Sequence, residues 1–183
     1  MKLLTVVLVF ASSVDLWCTY ASWYKIRTYP VQNFYGIFET VLLALMLYIW
    51  KNARWYRATA IMLVAIYVFC WFYYIFALGI DSFSGVSNTV KSIFMMILLA
   101  GVLIDISFDD RIPVYKNYKF WISASLLFYF SIGVVLWSTA FLPIGDNVVQ
   151  SYSWNIHVFI SIFTNLMITY GLITFVRWKA IYV

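Results

Sequence analysis

Residues 58–78 read ATAIMLVAIYVFCWFYYIFAL, an unbroken run without a charged side chain, closed by Arg57 on one side and Gly79 on the other. A membrane-crossing helix needs about 20 mainly apolar residues to traverse the hydrocarbon, and this stretch reaches that length unaided. Working outward from a span at 57–78, five further runs of the same kind occupy about 3–24, 33–51, 86–106, 119–141 and 153–178. Charge, Pro, Gly or Asn fills every gap between them: Lys25–Pro30, Lys51–Arg57, Gly79–Gly85, Asp109–Lys119 and Pro143–Ser151. Strands of a membrane barrel are shorter and alternate in polarity over about 10 residues, which these runs do not. The reading is an all-α, polytopic membrane helical bundle: one transmembrane domain over 1–183, six transmembrane helices, and connections too short for a soluble domain.

Composition points the same way. Of 183 residues, 65% are hydrophobic and 10% charged, against about 25% charged in a soluble chain. So little polar surface cannot enclose a water-soluble core. With Gly 7, Pro 3 and Cys 2, collagen-like repeats and a disulfide scaffold are excluded as well. Trp and Tyr favour the headgroup level, and here they gather at span ends: Trp23 and Tyr24, Trp50, Trp55 and Tyr56, Tyr118 and Trp121, Trp178 and Tyr182.

Lys and Arg in short loops set orientation. On the amino-terminal side of the membrane fall nine of the 12 cations: Lys2, Lys51, Arg54, Arg57, Arg111, Lys116, Lys119, Arg177 and Lys179. Lys25, Arg27 and Lys91 fall on the other side. Both termini are therefore expected in the cytoplasm. The net charge of +5 is mostly topological, and no basic helix or stacking platform marks a nucleic-acid partner. Lys2, the apolar Leu3–Ala11 and Ser12–Ser13 resemble a signal peptide. Apolar character resumes through Trp17 and Ala21, so a retained first span is expected rather than cleavage after residues 1–13.

Ionisable side chains inside a span cost about 2.5–3.5 kcal/mol on insertion scales, and few are present. Asp15 lies near the middle of the first span, on one stripe with Ser12, Thr19 and Ser22. Its side chain leans toward the cytoplasmic amino terminus, away from the nearer, outer surface. Glu39, Lys91 and His157 sit about a turn and a half inside the outer ends of the second, fourth and sixth spans. An acid, a base and an imidazole in one layer form a candidate polar pocket opening outward. Asn165 extends it along a face of the sixth span that starts at His157 and passes Ser161, Thr164 and Thr169. The competing reading lets Glu39, Lys91 and His157 snorkel to the headgroups, Lys91 above all, with Ser161 and Thr164 as interhelical hydrogen-bonding glue. Candidate partner-facing cytoplasmic residues are Arg54 and Arg57 in one loop and Asp109, Asp110 and Arg111 in another.

Known chemistries find little purchase. One His excludes a bis-histidine haem, no Cys-x-x-Cys occurs, and Cys18 and Cys70 read as small apolar packing inside spans. No metal-loop spacing is present, and neither G-x-S-x-G, H-E-x-x-H nor a Walker loop appears. Neither a cofactor, a metal nor an enzymatic activity is expected.

Three segments carry a resemblance. Gln32-Asn33-Phe34-Tyr35-Gly36-Ile37-Phe38-Glu39 is the first. Tyr118–Ile122 with Phe128–Ser131 is the second, and Trp154–His157 with Phe163–Leu166 and Tyr170-Gly171 the third. Together, over roughly 30–175, they resemble small multi-helix bacterial membrane proteins whose membrane sensor regions occur alone or ahead of a sensor histidine kinase. The resemblance implies an inner-membrane sensory or interaction module, with Glu39 and His157 on recurrent polar positions. No kinase is expected after Trp178, so output is expected to pass through a separate membrane or cytoplasmic protein. The expected function is a non-enzymatic sensory or accessory subunit in the lipid bilayer. A structural helical subunit of a larger membrane complex is the first alternative. A small oligomeric channel or transporter is the second, and a homo-oligomer is compatible with each.

Overall fold

The computed structural model describes residues 2–80, 85–108, 113–139 and 147–182. They form six α-helices: α1 (Lys2–Trp23), α2 (Tyr29–Trp50), α3 (Arg54–Leu78), α4 (Gly85–Ser107), α5 (Tyr118–Thr139) and α6 (Asn147–Tyr182). A single 3-10 turn at Val114–Lys116 precedes α5, and no strand occurs among the described residues. All six helices are long and apolar enough to cross a membrane, as the length of the apolar runs requires.

Some boundaries differ from the sequence reading. α2 begins at Tyr29 rather than 33, with Pro30 inside its first turn; an N–H is unpaired there anyway, so proline is tolerated. The turn before it closes with Ile26 N–H donating to the Ala21 carbonyl at 2.9 Å, and Lys25 takes a left-handed φ of 56°. α3 begins at Arg54 rather than 57. α6 begins at Asn147 and runs 36 residues, about 54 Å at 1.5 Å per residue, so it exceeds the hydrocarbon at its ends.

The chain divides into two compact units, Met1–Phe94 and Met95–Val183, with α4 passing from one to the other. In the first unit α1 lies on α2 through Leu4, Val7, Val14 and Ala21, all buried and spaced by threes and sevens as in a heptad seam. The Phe10 ring meets Tyr35 at 5.9 Å and Phe38 at 5.6 Å. α3 buries one stripe, Tyr56, Ala60, Leu63, Tyr67 and Trp71. In the second unit α5 and α6 approach closely at Gly171. A Cβ there would sit 3.1 Å from Ile122 Cγ1 and 3.2 Å from Trp121 Cβ, so any larger residue would force these neighbours to give way, and glycine lets the helices approach. Edge-to-face pairs Trp121–Tyr170 and Tyr118–Phe175, each at 4.8 Å, line the same seam. The outward faces carry Val9, Phe69, Phe76, Phe159 and Leu166; in lipid such apolar side chains are already solvated and need no cover.

Candidate functional site: a buried ion pair within the first unit

α2 sets Asn33, Gly36, Glu39 and Thr40 on its buried face, at spacings that keep them within one helical stripe. α4 buries Lys91 and Ser92. Across these helices Lys91 Nζ meets Glu39 Oε2 at 2.7 Å, each side chain only 9% exposed. The second carboxylate oxygen is engaged too: Tyr35, one turn before Glu39, donates its hydroxyl to Oε1 at 3.1 Å. Glu39 is thus held from two sides, by a cation on another helix and a phenol on its own.

Gly36 makes room beside this pair. Tyr67, only 1% exposed, brings its hydroxyl to 3.2 Å from where a Gly36 Cβ would stand, and Asn88 Oδ1 to 3.9 Å. Small hydroxyls near the pair turn inward to their own helices, Thr40 to the Gly36 carbonyl at 2.7 Å and Ser92 to the Asn88 carbonyl at 2.8 Å. Toward the loop end of the layer, Asn33 Nδ2 donates to the Ile80 carbonyl at 2.9 Å, and Trp71 Nε1 donates to the Asn33 carbonyl at 3.1 Å. Where hydrocarbon supplies no partner, polar groups must be paired internally, and this layer is largely so paired.

The sequence-predicted residues divide between the two units. Glu39 and Lys91 come together. Lys91 does not snorkel to the headgroups: a buried carboxylate within reach of its four-carbon stem holds the ammonium inside. Asp15 belongs to the same unit and lies near enough to Glu39 for their charges to interact. It is nevertheless exposed on α1, and no described side chain hydrogen-bonds its carboxylate.

In the second unit, His157 is half-buried, its ring 5.3 Å from Trp137 and 5.8 Å from Tyr129. Asn165 is exposed, and its carbonyl accepts from Thr169 Oγ1 at 2.8 Å. Ser161 donates to the His157 carbonyl of its own helix at 2.9 Å, not to a neighbouring helix. Thr164 is buried between Ile160 and Ile168 along α6 and its hydroxyl has no hydrogen-bond partner among the described residues. Among the described residues neither side chain therefore makes the expected interhelical hydrogen bond, and for Ser161 a carbonyl one turn back takes the hydroxyl instead.

At the α2–α3 turn Arg54 is exposed, while Arg57 stacks its guanidinium 4.7 Å from the Tyr48 ring. Lys51 is only 5% exposed, with its ammonium 4.5 Å from the Trp55 ring and 4.9 Å from the Tyr56 ring. Cations on aromatic faces are held there by the ring quadrupole. Asp109, Asp110 and Arg111 lie outside the described residues. No cluster of three or more His, Cys, Asp or Glu that could hold a metal ion occurs among the described residues.

Tyr35, Gly36, Tyr67 and Lys51 are not among the site residues expected from the sequence. Two of these left a signal: Tyr35 stands four residues before Glu39, and an aromatic pair stands four and five residues after Lys51. No family model matches the chain, and no curated protein or solved structure matches it.

Proposed function

We propose that this protein is a non-enzymatic sensory or accessory subunit of the bacterial inner membrane, with both termini in the cytoplasm, acting through a protein partner. The buried Glu39–Lys91 pair carries this reading. A buried pair contributes little net stability while both charges persist, yet removing one partner costs about 3–5 kcal/mol. An event that neutralises either group, proton uptake or the arrival of a small ligand, would thus penalise one helix arrangement enough to favour another. Such a shift in an α2–α4 contact would move the α2–α3 turn, where a partner meets Arg54 and Arg57. The three segments that resemble membrane sensor regions support the same reading, since Glu39 falls within the first of them.

The orientation rests on the nine cations assigned to the amino-terminal side. With Cys18 and Cys70 replaced, a single cysteine at Asn52 is expected to react with impermeant maleimide only from the cytoplasmic side, and one at Tyr24 only from outside. Reaction of both from one side would overturn the topology.

The sensory step is tested by charge exchange. Glu39→Gln and Lys91→Gln are each expected to destabilise the detergent-solubilised protein by about 3–5 kcal/mol and to change the labelling rate at the Asn52 cysteine. Glu39→Lys with Lys91→Glu should recover most of both. If the single variants leave that labelling rate unchanged, the pair is merely structural and the sensory reading fails.

A further inference from the structure

α1 is a 22-residue helix with one seam against α2, and Ser12, Ser13, Asp15, Leu16 and Thr19 are exposed outside that seam. Asp15 stands thirteen residues from Lys2 and eight from Trp23, roughly 20 and 12 Å from the helix ends at 1.5 Å per residue. That depth lies inside a hydrocarbon about 30 Å thick. The side chain leans toward the amino terminus, away from the nearer surface. Its neighbours on the stripe offer it nothing: Ser12 donates to the Leu8 carbonyl at 2.9 Å and Thr19 to the Asp15 carbonyl at 2.8 Å. The charge of the first unit that acts on it is Glu39, of the same sign, and Glu39 is already taken by Lys91 and Tyr35. A carboxyl group at this depth without a counter-charge costs about 2.5–3.5 kcal/mol, which a partner would offset.

We propose that the Asp15 face of α1 is the docking surface for a transmembrane helix of another protein that presents Lys or Arg at the same depth. This rests on the partner-dependent reading above and names the surface that holds the partner. Charge complementarity selects the occupant. A second copy of this chain would set Asp15 against Asp15, and Lys91, the lysine that the first unit buries in a span, is committed to Glu39. Ser12, Ser13 and Thr19 are small enough for two helix backbones to approach closely. A basic residue in the partner's span, equally costly in lipid, is relieved by the same contact.

The test uses the full chain, donor-labelled at its carboxyl end, in phosphatidylcholine vesicles. Acceptor-labelled Leu/Ala transmembrane peptides of about 23 residues, with Lys or Leu at the centre, are the probes. Energy transfer is expected to show the Lys peptide associating roughly 5- to 30-fold more tightly than the all-apolar one, as for polar contacts between model membrane helices. Asp15→Asn should lower it to the apolar peptide's level without altering thermal unfolding, and Asp15→Glu should preserve it. Glu39→Gln should leave the preference intact, so failure of the ion-pair reading and failure of this one are separable. Equal association of the two peptides would overturn the proposal. So would a preference that survives Asp15→Asn, or Asp15-dependent self-association without peptide.

Discussion

At the scale of single residues, Gly36 shows how an absent side chain positions a site. A methyl group there would stand 3.2 Å from the Tyr67 hydroxyl, closer than ordinary contact, while Asn88 Oδ1 at 3.9 Å is unaffected. Two effects oppose each other in Gly36→Ala. Helix propensity favours alanine by up to about 1 kcal/mol, whereas overpacking costs about 1–3 kcal/mol. The hydroxyl belongs to a rigid ring that is 1% exposed and can yield only by shifting within packed surroundings, so the clash should win by about 1 kcal/mol in reversible unfolding. Gly36→Ala with Tyr67→Phe removes the oxygen and should equal or exceed the native protein. A single Gly36→Ala variant more stable than the native protein would refute this account. That Glu39 and Lys91 lie within apolar helices was legible in the sequence, since each stands inside an apolar run. Their pairing was not. They are 52 residues apart, and a lysine stem is equally able to reach outward to headgroups or inward to a carboxylate. The rotation of α2 about its axis decides, and apolar residues all round a helix do not encode that rotation.

At the scale of elements, the α5–α6 seam invites comparison with Gly36. At Gly171 a Cβ would meet Ile122 Cγ1 at 3.1 Å, Trp121 Cβ at 3.2 Å and the Tyr118 backbone carbonyl at 3.4 Å. The neighbours here include a Cβ fixed to its backbone and main chain, not the far end of one ring, so less can yield. Gly171→Ala is expected to cost about 2–3 kcal/mol, more than Gly36→Ala, and to weaken the Trp121–Tyr170 contact seen by tryptophan fluorescence. If Gly171→Ala unfolds no more readily than Gly36→Ala, the seam is looser than its distances state. The existence of each helix could be read from run length because hydrocarbon thickness imposes it. The starts of α2 and α6 could not. Pro30, and the polar Asn147 to Trp154, look like loop by composition. Yet proline is tolerated in a first helical turn, and polar side chains incur little penalty where a helix leaves the hydrocarbon.

At the scale of the whole molecule, the six spans were legible but their neighbours were not, and the reason is the solvent. In water an amphipathic stripe points to the core. In lipid the outside is as apolar as the inside, so Phe69 and Phe76, both exposed, look in sequence no different from buried Leu63. Charge is the information that remains, and it acts on insertion before packing. Of the three cations assigned outside, Lys91 is buried against Glu39, which leaves Lys25 and Arg27 to oppose Lys51, Arg54 and Arg57 across α2. That margin is narrow, and it yields a topological prediction. Arg54→Gln alone should leave the Asn52 cysteine labelled from the cytoplasmic side only, because Lys51 and Arg57 remain and Arg57 keeps its place on Tyr48. Arg54→Gln together with Tyr24→Lys and Thr28→Lys reverses the local balance around α2. A mixed population, with Asn52 cysteine labelled from both sides, is then expected. The exposed position of Arg54 makes it a suitable lever, since its loss disturbs no packing. If the triple variant stays one-sided, orientation is set by the other spans and not by the cations that flank α2.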